Sequence, residues 1–85
     1  MDNENEKREI TILQARRRLG LSQSTIAKLS NVSRQAVCRW EAGDTAEAIK
    51  LVPYMQKLNE LATHYKVLAD DEEIVSPPIR NRALK

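Results

Sequence analysis

At 85 residues the chain is shorter than a typical domain of about 100–150, so it can build one small core and has no room for a multidomain enzyme. Apolar residues at 41% and charged residues at 31% suit a globular domain better than a disordered or collagen-like chain. The formal net charge is only +2, yet seven of the twelve acids lie in two short segments, Asp2 to Glu6 and Asp70 to Glu73. The body between them, Lys7 to Lys66, carries eleven Lys or Arg against five acids. Such a body can meet a polyanion or simply present a solvated helical surface, and charge alone does not decide between them.

Two Gly and three Pro punctuate long stretches of good helix formers, which points to an all-helical fold. Cys38 is the only cysteine and has no partner for an internal disulfide. The residues before Ile10 are too polar for a signal-peptide core, so a cytoplasmic protein is expected. No apolar run approaches the roughly 20 residues that span a bilayer, and no membrane role is expected.

Residues 1–7 read as a disordered leader. From about Arg8, Ile10, Ile12, Leu13, Ala15 and Leu19 fall near helical spacing and predict a first helix that ends at Gly20. Ser22 is placed to cap a second helix with Gln23 in its first turn and Ile26, Ala27 and Leu29 on its buried face. That helix ends at Asn31, which enters the left-handed conformation at modest cost. Ser33 caps a third helix that stops at Gly43, with Ala36, Val37 and Trp40 on one side and Arg34, Gln35, Cys38 and Arg39 elsewhere. Pro53 suits the first turn of a fourth helix over about Leu51 to Lys66, whose apolar stripe is Tyr54, Met55, Leu58, Leu61, Ala62 and Tyr65. Residues 67–85 carry the acidic run, Ile74-Val75, a Ser76-Pro77-Pro78 break and a basic end. They read as an extended tail, with Ile74 and Val75 docked on the core or on a second subunit.

Two capped helices around a three-residue turn form a helix-turn-helix, whose second helix can lie in a DNA major groove. Leu19-Gly20-Leu21-Ser22-Gln23, Ile26-Ala27, Val32-Ser33, Val37 and Glu41-Ala42-Gly43 resemble the Xre/Cro phage-repressor family of helix-turn-helix regulators. The resemblance covers about Ile10 to Leu61 and implies a compact bundle of four or five helices over residues 8–66, with a short extra turn near Ala46 to Lys50. It also implies that Glu41 pairs with Arg16 and so orients the recognition helix. Two departures stand out. The chain has Ser30 and Asn31 where the family has an apolar residue followed by Gly, so Leu29 is expected to take that core place. The loop after Gly43, often basic in the family, holds Asp44 and Glu47, which would repel phosphate.

The residues themselves divide the work of DNA binding. Gln23, at the positive end of helix two, can donate its amide to a phosphate. Arg34 and Gln35, in the first turn of helix three, have forks that match guanine O6/N7 and adenine N6/N7. Arg39, one turn on, can reach a base or the backbone, and Ser33 can add a phosphate contact to its capping role. Cys38 beside them suits a packing or base-methyl contact, with a redox switch as the alternative. Arg17 and Arg18 either touch phosphate or are solvated. The lone His64 and Cys38 have no acid placed to complete a triad or metal cluster, and the two glycines each end a helix, so no catalytic residue, metal or cofactor is implied.

The expected function is a sequence-specific double-stranded DNA-binding transcriptional regulator. More finely, it is a small homodimeric repressor of an inverted-repeat operator near its own promoter, with helix 33–42 in the major groove. The alternative is an antitoxin-like or phage-accessory regulator whose C-terminal tail binds a protein partner.

Overall fold

The computed structural model describes residues 7–45 and 48–77. The leader through Glu6, loop residue Glu47 and the basic end from Arg80 lie outside the described residues. Four helices make the body: α1 (Ile12–Leu19), α2 (Gln23–Ser30), α3 (Arg34–Glu41) and α4 (Leu51–His64), with a 3-10 turn over Ala48–Lys50 leading into α4. The all-helical helix-turn-helix bundle is the expected one, with the short extra turn in place and an extended C-terminal segment.

Local hydrogen bonding sets the helix ends. Ser22 Oγ accepts from Thr25 N at 3.1 Å, and Ser33 Oγ accepts from Ala36 N at 3.0 Å. Each satisfies a donor that the first turn leaves without an intrahelical partner. Gly20 (φ 73°) and Asn31 (φ 61°) close α1 and α2 in the left-handed conformation. Their N–H groups return to carbonyls of the preceding turn, Gly20 N to Arg17 O at 3.0 Å and Asn31 N to Lys28 O at 3.2 Å.

Helix α1 starts at Ile12, later than the expected Arg8, because Thr11 and Gln14 form a reciprocal capping box. Gln14 N donates to Thr11 Oγ1 (3.1 Å) and Thr11 N to Gln14 Oε1 (2.8 Å). The residues before the cap form strand β1 (Arg8–Ile10), which pairs in parallel with β2 (Glu72–Ile74) in the register Arg8↔Glu72, Glu9↔Glu73 and Ile10↔Ile74. Arg8 N donates to Asp71 O and Val75 N to Ile10 O at either end of this pairing. Ile74 therefore docks on the chain's own core, which resolves the open choice for that residue.

The core comprises Ile10, Ile12, Ala15, Ile26, Ala27, Val37, Trp40, Leu51, Tyr54, Leu58, Ala62 and Ile74. Helix α4 packs against α1 and α2, and α2 packs against α3. Trp40 and Tyr54 meet with ring centroids 5.3 Å apart.

Two expectations about side chains need correction. Leu29 does not take the core place at the end of α2: it is 47% exposed, whereas Ser30 is 7% exposed. The reason is helical phase, since Ser30 lies one turn after Ile26 and beside Ala27, while Leu29 falls on the far edge of that stripe. Tyr65 is likewise outside the core, 62% exposed, because α4 ends at His64 and Tyr65 is its C-cap. It instead sets its ring edge-on to His64, with centroids 4.6 Å apart.

Candidate nucleic-acid interface

The exposed side of α3 follows from its buried side. Val37 and Trp40 are fully turned into the core, so Arg34, Gln35, Cys38 and Arg39 all face solvent. At about 100° per residue these four fill one arc of about 140°. Among the described residues, no hydrogen bond or ion pair ties down the side chains of Arg34, Gln35 or Arg39. Ser33, at the entry to this face, is committed through its Oγ to the α3 cap.

Behind that face lies a polar knot. Arg16 Nε donates to Glu41 Oε2 at 2.6 Å and Arg16 Nη2 to Glu41 Oε1 at 3.0 Å, a two-pronged pair between α1 and the end of α3. Its side chains are only 13% and 6% exposed. The hydrogen bond to Glu41 raises the Arg16 pKa further, against the opposing effect of burial. Arg16 Nη1 also donates to the carbonyl of Leu21, just ahead of α2. Tyr54 lies near the pair, and burial pushes its hydroxyl above the ordinary range.

Gln23, expected to offer its amide to phosphate, is not free to do so with the whole group. Its Nε2 donates to Glu41 Oε1 at 2.9 Å, which leaves one amide hydrogen. Arg18, an open choice between phosphate and solvent, stays at the surface with its side chain 38% exposed. It makes a two-pronged pair with Glu72 (2.6 and 3.0 Å) and donates to the carbonyl of Val67. Arg8 similarly grips Asp71 at 2.9 and 3.1 Å. The acidic run thus fastens the C-terminal segment to the N-terminal strand. Hydrogen bonds from Arg18 and from Ala69 N hold the Glu72 carboxyl down at a pKa of about 2. Asp71 is lowered in the same direction, chiefly by its bond to Arg8. Arg17 stays exposed.

In the loop after Gly43, Asp44 N donates to the carbonyl of Arg39 at 2.8 Å, so the loop starts by tucking against the end of α3. Neither the Glu41–Gln23 bond nor the C-terminal pairs had a local signature. They join residues 18, 54 and 63 positions apart, and any exposed acid could have served any arginine.

Among the described residues no helix is long and apolar enough to cross a membrane, and no group of three or more His, Cys, Asp or Glu is placed to hold a metal. No curated protein and no solved structure matches the chain. A family model described as helix-turn-helix matches residues 12–61, more than half of the chain, from the first residue of α1 to within the last turn of α4. The matched span contains the turn, the recognition helix and the Arg16–Glu41 pair, and leaves out both strands. The chain belongs to the Xre-type, lambda-repressor-like helix-turn-helix family of DNA-binding transcription regulators.

Proposed function

We propose that this regulator is a small homodimeric repressor in the cytoplasm that occupies an inverted-repeat operator near its own promoter. Helix α3 (Arg34–Glu41), with its caps Ser33 and Ala42, enters the major groove. The observation that carries this reading is the single arc of Arg34, Gln35, Cys38 and Arg39 on α3, exposed and unengaged while the helix is held from behind. Arg34 and Gln35, in the first turn, read base edges; Arg39 reaches a base or the backbone; Ser33 and the remaining amide hydrogen of Gln23 meet phosphates. Cys38 packs against a base methyl. Repression is by occupancy of the operator, and no catalysis or cofactor is needed for it.

The homodimer reading favours α4 over the C-terminal pair Ile74-Val75, because Ile74 is consumed in its own core. Along α4 runs a groove of about 860 Å³ with Leu51, Val52 and Met55 at its apolar end. Val52 is 59% exposed there, and neighbouring Ile49 is 84% exposed.

The test is fluorescence anisotropy of the purified protein with its own upstream DNA and with random DNA, each at two salt concentrations. Salt-sensitive binding with preference for the upstream fragment supports the reading. No binding at low salt refutes it and moves weight to a protein partner of the C-terminal tail, and a footprint without a dyad refutes the dimeric operator.

A further inference from the structure

We infer that Glu41 is a positioning residue for DNA binding: it sets the orientation of the Gln23 carboxamide so that the group presents a donor to a backbone phosphate. The inference rests on the reading above that Gln23 meets a phosphate.

A primary amide is ambiguous, since its oxygen and nitrogen ends are nearly equal in shape and the group can turn over. A phosphate is not ambiguous, because it accepts only. Glu41 removes the choice. Its carboxylate is 6% exposed and also accepts only, so the amide must direct Nε2 toward it, as the 2.9 Å bond records. The second amide hydrogen then lies about 120° from the first in the amide plane, available to a second acceptor. Arg16 keeps Glu41 in place with two bonds and neutralises it, so that a carboxylate behind the phosphate site does not repel the DNA. Through its third bond, to the Leu21 carbonyl, Arg16 also fastens the entry to α2 on which Gln23 stands. The knot therefore links a phosphate contact on α2 to the end of the helix that reads bases.

The experiment is a double-mutant cycle of Gln23→Ala and Glu41→Gln. Binding to a mixed-sequence duplex is measured by anisotropy at low salt, at a temperature where circular dichroism shows all four proteins folded. A phosphate contact carries no sequence information, so a mixed duplex is the appropriate probe. Gln23→Ala is expected to weaken wild-type binding about tenfold. In the Glu41→Gln background, where the amide has lost its one-sided acceptor, the same change is expected to cost less than about twofold. An equal loss in both backgrounds overturns the inference while leaving Gln23 as a phosphate contact. No loss in the wild type overturns the phosphate reading and the inference with it.

If Glu41→Gln does not fold, nuclear magnetic resonance of the wild-type Gln23 side-chain amide decides the matter. One proton should keep its shift on adding the duplex while the other moves. Movement of both, with loss of the bond to Glu41, overturns the inference.

Discussion

Replacing Arg16 by Met tests whether the knot behind the recognition helix is desolvated. The substitution keeps much of the side-chain length but deletes two bonds to Glu41 and one to the Leu21 carbonyl. Exposed ion pairs are worth about 0–1 kcal/mol, whereas removing one partner of a buried pair costs about 3–5 kcal/mol. The Arg16 and Glu41 side chains are 13% and 6% exposed, so some screening remains and the lower end, about 3 kcal/mol, is the expected loss. Glu41 has a short stem and cannot follow the lost charge to solvent; Gln23 alone then faces its carboxylate. For a domain of this size the loss should lower the melting temperature by about 12–24 °C. It would consume a large share of a total stability of roughly 4–13 kcal/mol. Trp40, the only tryptophan and 2% exposed, reports unfolding by fluorescence in urea or on heating. Adding Glu41→Leu should recover all but about 1 kcal/mol, because an apolar pair replaces a charged one and only the Gln23 amide is left without its acceptor. A loss below about 1 kcal/mol for Arg16→Met would refute the reasoning, since it would mean that the pair behaves as an exposed one.

Four further outcomes are expected. Ser30→Ala should stabilise the protein by about 1 kcal/mol in the same unfolding assay, because the buried Ser30 hydroxyl has no hydrogen-bond partner among the described residues; destabilisation would reveal one. Gly20→Ala should cost about 1 kcal/mol through its φ of 73° alone, since an added Cβ meets nothing within 4 Å; a neutral result would show that α1 ends differently. Glu72 has a folded pKa of about 2 against an ordinary 4.5, so its pairing contributes stability that is complete above the ordinary value and is lost as pH falls toward 2. An acid titration followed by Trp40 fluorescence should lose part of that slope in Glu72→Gln, and an unchanged slope would remove Glu72 as a cause. Arg34→Ala should weaken operator binding by about 1–3 kcal/mol and relax preference at one base pair, with little effect on random DNA; equal losses on both would deny it a base-reading role.

Much of the helix-turn-helix was legible because its signals are local. Ser22 and Ser33 each cap a donor three residues away, and Gly20 and Asn31 turn the chain within one residue. The spacing of Val37 and Trp40 placed them inside and so placed Arg34, Gln35, Cys38 and Arg39 outside. Phase errors arose where a stripe was broad. Leu29 and Ser30 are adjacent, hydropathy favours burying Leu, and the position relative to Ile26 and Ala27 buries Ser instead. The start of α1 is not legible in the spacing, because Ile10 fits both a helical stripe and a strand, and the Thr11–Gln14 box that separates the two is a short polar signal.

The sequence by itself determined four helices, the Ser22 and Ser33 caps, the turn between α2 and α3, and which side of α3 faces out, because each depends on residues within about one helical turn. Tertiary structure alone decided what the polar side chains hold. The Gln23 amide was assigned to Glu41, Arg18 and Arg8 were paired at the surface with Glu72 and Asp71, and Ile74 was folded into the core beside Ile10. Those contacts join residues 18 to 64 positions apart, and a charge or amide carries no record of so distant a partner until the packed helices bring the two together.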